Sequence, residues 1–129
     1  MAQSGNSRTA APLLWLLFGL RGRISRSVYW LSFFFVRFLQ AAIIMQILGG
    51  EQASFFALAT SLGVVVLLAT LVAGLTVSVK RLHDIGYSGF LSCALFIPFV
   101  DLAFSIWIGI LPGTSGPNRF GAVVDARPA

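Results

Sequence analysis

Acidic side chains are nearly missing from this sequence, with 4 Asp and Glu against 9 Lys and Arg in 129 residues. Charged residues of both signs make up 10% of the chain, where soluble domains run near roughly 25%. That shortage excludes an ordinary soluble fold. A domain this small buries too little of its surface to hide a chain that is 57% hydrophobic. Cysteine is as scarce. Cys93 stands alone, so no intrachain disulfide and no CxxC metal pair can form. It reads as a small packing residue. A single histidine, His83, falls short of the roughly four ligands of a closed zinc site. Neither a metal nor another cofactor is expected.

The net charge of +5 would suggest nucleic acid in a soluble protein. Here it follows from few acids and ordinary orienting arginines, and no nucleic-acid partner is expected. The lipid bilayer is the expected surrounding.

What the chain does have is long apolar runs. Residues 1–9 are small and polar, which predicts a disordered start. Residues 10–129 read as one all-α membrane domain. The run from Ala10 to Leu20 is too short to cross a bilayer and has no cleavage site after it. It predicts a short interfacial helix with Trp15 at headgroup level. Three spans follow over about 27–48, 53–79 and 90–111, each near the roughly 20 residues a crossing needs. A polar loop at 49–52 and a second at 80–89 connect them, and 112–129 is a Gly- and Pro-containing tail.

With three crossings, Arg21, Arg23, Arg26, Lys80 and Arg81 share one face. The positive-inside rule puts that face, and the N-terminus, in the cytoplasm. The tail then lies outside, and Trp107 suits the outer boundary. Pro98 interrupts the third run. Charge bias and length favour a kinked full span, with a hairpin that returns the tail to the cytoplasm as the alternative. The five basic residues are also candidates for anionic lipid headgroups, at roughly 1 kcal/mol each, although orientation alone explains them equally well.

Two charges fall inside the spans. Arg37 and Asp101 each lie about ten residues from the inner side, roughly 15 Å deep. Equal depth and opposite sign predict an interhelical ion pair, since a lone charge there costs about 2.5–3.5 kcal/mol or more. Gln40 is one turn from Arg37. Thr70, Gly74 and Ser78 put small residues on one face of the second span, a packing signal.

Three polar motifs remain: Gly22-Arg23-Ile24-Ser25-Arg26 before Tyr29-Trp30; Lys80-Arg81-Leu82-His83-Asp84-Ile85-Gly86-Tyr87-Ser88-Gly89-Phe90; and Gly113-Thr114-Ser115-Gly116-Pro117-Asn118-Arg119-Phe120-Gly121. In the second, a His beside an Asp invites a general-base reading. Adjacent residues rarely point at each other, however, and no nucleophile accompanies them. A tight turn is the stronger reading, with Asp84 as a cap or a partner for Arg81. Gly86 and Gly89 supply permissive backbone, and Ser88 a helix cap.

In order and spacing, from about Phe18 to near the end, these motifs resemble a bacterial inner-membrane family catalogued as domain of unknown function 805. The family pattern has Arg, Arg and Trp where Lys80, Tyr87 and Phe90 stand here. Arg37 and Asp101 lie outside that pattern. The resemblance implies a small multi-span inner-membrane protein and supplies no activity.

The expected role is a non-catalytic accessory, scaffold or regulatory subunit with a membrane-protein partner or a second copy of itself. The alternatives are an oligomeric transport component using Arg37 and Asp101, and a lipid-acting enzyme using His83 and Asp84.

Overall fold

The computed structural model describes residues 12–49 and 54–127. The expected disordered segment 1–9 and most of the 49–52 loop lie outside them. The element order is α1 (Pro12–Phe18), α2 (Arg26–Gly49), α3 (Ser54–Ile85), a 3₁₀ segment (Gly89–Phe96) and α4 (Val100–Ile110). The fold is all-helical, with two long apolar helices and a shorter one. The described residues contain no strand beyond an isolated bridge between Asn118 and Gly121.

No proline or internal glycine interrupts α2. Its buried residues are Tyr29, Ser32, Val36, Gln40 and Ile43, spaced three or four apart. That is one stripe of a 3.6-residue helix. The other faces carry Leu31, Phe34, Phe35, Phe38 and Met45, all exposed. A soluble helix would turn such residues inward. Here they are dressed for lipid. The stripe packs on α3, where a Cβ at Gly74 would sit 3.8 Å from Val36. Thr70 and Ser78 are buried on that side, as a small-residue packing face requires.

Two expectations are corrected. First, Lys80–Ile85 is helix, not loop. Polarity there marks the end of the span but not the end of the helix. The stop comes at Gly86, with φ +93°. Tyr87 N–H donates to the Leu82 carbonyl and Gly86 N–H to that of His83, the double closure that a left-handed glycine allows.

Second, residues 90–111 do not form one helix. Proline forces its predecessor out of the helical region and offers no N–H. Ile97, before Pro98, is extended at φ −96°, ψ 114°, and Phe99 is left-handed at φ +67°. The chain reverses between them. The 3₁₀ segment starts beside Val79 and His83, and Ser88 caps it by accepting from Phe90 N–H. Asp101, near the reversal, reaches the depth of Arg37. α4 then returns, so that Arg81 donates to the Leu111 carbonyl. Both ends of the hairpin therefore lie at the C-terminal end of α3.

The tail follows them there, rather than to the opposite end. Trp107 packs 5.7 Å from Tyr87 and so marks that end as well. Close contact secures the return. Tyr29 donates to Ser105 O at 3.0 Å, Trp30 Nε1 to Gly109 O at 3.2 Å, and a Cβ on Gly109 would fall 2.5 Å from the Trp30 ring. Ile24, Tyr29, Val77, Leu82 and Ile108 form the buried core below this end. Cys93, expected to pack, is exposed on the hairpin.

Candidate functional site

The three motifs meet in one buried cluster. Asp84 lies on the last turn of α3, and Arg23 precedes α2. Arg23 Nε donates to Asp84 Oδ1 at 3.1 Å, and Arg81 Nη1 donates to Oδ2 at 2.6 Å. Both guanidinium groups are fully buried. One carboxylate faces two cations, and the excess positive charge is met by backbone carbonyls. Arg23 donates to Thr114 O and Gly116 O at 2.7 Å each and to Gly121 O at 3.2 Å. Arg81 donates to Ile108 O at 3.0 Å, to Ile24 O at 3.4 Å and to Leu111 O. Ile108 and Leu111 end α4, where free carbonyls and the helix dipole favour a cation. Thr114 N–H closes the ring on the Asp84 carbonyl at 2.7 Å. Arginine suits this position because its planar fork offers five donors.

His83 faces away from Asp84. Its Nδ1 lies 3.3 Å from Gly22 O, and its ring stacks on Phe120 with centroids 4.0 Å apart and planes 7° apart. Asn118 donates to the His83 carbonyl at 2.8 Å and accepts from Phe120 N–H at 2.9 Å. Gly121 pairs with Asn118 through two backbone bonds. Arg119 is exposed, with its guanidinium over Phe120.

The five basic residues grouped by sequence do not share one surface. Arg23, Lys80 and Arg81 are fully buried, and only Arg21 and Arg26 are exposed. Lys80 Nζ donates to Trp15 O, Leu16 O and Gly19 O at 2.9, 2.6 and 2.5 Å, binding the end of α1 to α3. α1 is thus docked on the bundle and not simply laid on lipid.

A second polar locus lies deeper. Arg37 Nη2 lies 2.6 Å from both carboxylate oxygens of Asp101, with the two side chains 41% and 26% exposed. Beside the pair is a partly open cavity of about 110 Å³ between α2, α3 and the hairpin.

Sequence reading missed the roles of Asp125 and Thr114. Asp125 accepts from Ser25 N–H at 2.7 Å and donates its own N–H to Arg23 O. Nothing in residue type marks Thr114, whose bonds run through its backbone, and the Asp125 carboxylate meets a backbone N–H far away in sequence. Among the described residues no three His, Cys, Asp or Glu side chains converge as a metal site.

Comparison with known proteins agrees with a small bacterial inner-membrane protein. No solved structure matches the chain. The inner membrane protein YhaI of Escherichia coli strain K12 is 32% identical over 105 residues, covering 80% of this chain and 83% of that protein. The YhaI of strain O157:H7 matches to the same extent. The sequence profile described as Protein of unknown function (DUF805) matches residues 17–122, a stretch that contains all three motifs and nearly every partner in the buried cluster, and the chain belongs to that family.

Proposed function

We propose that this protein is a non-catalytic accessory or scaffold subunit of the bacterial inner membrane, with its clustered motifs serving as a clasp on the cytoplasmic side. The observation that carries this reading is the saturation of the cluster. Both Asp84 oxygens are held by arginines, so the carboxylate is not available to orient His83. His83 instead stacks on Phe120. Among the described residues no buried side-chain nitrogen or oxygen lacks a partner. A catalytic site keeps groups free for its substrate, and a clasp does not. The cytoplasmic assignment rests on Arg21 and Arg26 by the positive-inside rule. These two and Arg119 are exposed and suited to anionic headgroups.

The test is His83→Ala in place of the native gene, with abundance, complex size on a native gel and rescue of the deletion strain measured together. The expected result is normal rescue wherever abundance and complex size are normal. A variant that accumulates and assembles normally, yet fails to rescue, overturns the reading.

A further inference from the structure

The end of the hairpin away from the clasp is incomplete in a single chain. Counting from Arg26 at about 1.5 Å per residue puts Arg37 roughly 16 Å along α2, near the middle of a hydrocarbon core of about 30 Å. Asp101 meets it there, and the turn at 97–99 stands close to the same level. That turn is uncovered. Phe99 is 95% exposed, and Ile97 and Val100 are exposed as well. α4 begins without a side-chain cap, and among the described residues no acceptor takes the Phe99 or Val100 N–H. Irregular backbone at this depth is tolerated only against protein or beside a water-filled cavity. Neither Phe99 nor Val100 lines the cavity beside the ion pair. Arg37 makes a second demand. Its side chain stays 41% exposed although paired, and charges at mid-depth do not face lipid. Protein therefore covers this face.

The charges select the occupant. The cation of the pair belongs to α2 and the anion to α4, so the two signs are offset sideways across the membrane. A two-fold axis along the membrane normal keeps depth and reverses every direction in the membrane plane. A second copy therefore brings a carboxylate opposite Arg37 and a guanidinium opposite Asp101, both at matching depth, and sets its own uncapped turn against this one. An unrelated chain would need both charges at that depth and in that order. We propose that the hairpin tip and the Arg37–Asp101 edge form a two-fold interface with a second copy of this chain. The clasp lies at the far end of the hairpin, and this interface does not depend on how the clasp is read.

The test uses the purified full chain in liposomes, where a second copy is the only protein present. Phe99→Cys in a Cys93→Ala background is oxidised with copper phenanthroline over a range of lipid-to-protein ratios. Val72→Cys in the same background is the control. It is exposed near the depth of Gly74, roughly 160° from it around α3, and so points away from α2. The expected result is a covalent dimer at Phe99→Cys and severalfold less at Val72→Cys. Val100→Cys serves if Phe99→Cys does not accumulate. Adding Arg37→Gln together with Asp101→Asn removes both charges and leaves neither unpaired. It should lower the lipid-to-protein ratio at which half the chains crosslink by about tenfold. Equal crosslinking at tip and control marks random collision and overturns the proposal. So does a tip that stays monomeric in liposomes, or one that crosslinks in native membranes only to a different protein. Crosslinking indifferent to loss of both charges overturns it too.

Discussion

Arg23 and Asp84 stand 61 positions apart in sequence and 3.0 Å apart in space, both buried at the end where α3 stops and the tail begins. Their contact joins the segment before α2 to α3, and Arg23 carries it on to the tail. Asp84→Asn should therefore loosen three segments at once. It leaves two buried guanidinium groups without a counter-charge, and losing one member of such a group costs about 3–5 kcal/mol. Thermal unfolding in detergent should show a large drop in midpoint. Proteolysis should release the tail first. An unchanged midpoint would mean that the carbonyls alone hold the arginines.

Two glycines in the tail separate crowding from backbone strain. A Cβ on Gly113 would overlap the Asp84 carboxylate, so Gly113→Ala should resemble Asp84→Asn in effect. Gly116 has no neighbour within 4 Å of a Cβ but sits at φ +78°. Gly116→Ala should cost only about 1–2 kcal/mol, the left-handed penalty of an L residue. Matched unfolding curves test the order. Equal effects would contradict the clasp geometry.

Much of the fold was legible in residue types, and the cluster was not. The stripe from Tyr29 to Ile43 follows from helical period, and the pairing of Arg37 with Asp101 follows from opposite charges inside apolar runs, although the depth counted for Asp101 assumed a continuous helix where the chain instead reverses. The motifs were visible as strings, but what joins them is largely carbonyl oxygen, which every residue possesses. Arg23 therefore looked like a surface cation when it is a buried hub. Lys80 looked so for the same reason, since its partners are backbone carbonyls at and just after the end of α1. Pro98 announced a break. Whether a break kinks or reverses a helix is decided by what the following segment packs on, here Trp30 and Tyr29 against Gly109, and no local signal encodes that.

The hairpin predicts a labelling pattern. Single cysteines at Ser88 and Ser115, both exposed, are placed in a Cys93→Ala background and treated with an impermeant thiol reagent. With the clasp on the cytoplasmic side, neither site should react in intact cells, and both should react once the cells are opened. Reaction of Ser115 alone would restore three full crossings and separate the tail from His83. Reaction of both in intact cells would keep the hairpin and invert the orientation.

The Arg37–Asp101 pair makes the last prediction. Replacing either residue leaves the other charge at mid-depth, at a cost of about 2.5–3.5 kcal/mol or more. Arg37→Asp should therefore reduce accumulation sharply, because it sets two carboxylates side by side. Asp101→Arg should do the same with two guanidinium groups. Reversing both restores opposite signs on the same two helices. The pair sits at a partly open edge, with Arg37 41% exposed, so room exists for the exchanged side chains. The double reversal should then recover most of the lost accumulation, read as membrane-fraction abundance against wild type. If it recovers no more than the better single variant, the two charges act independently, and Arg37 must find its counter-charge in another subunit.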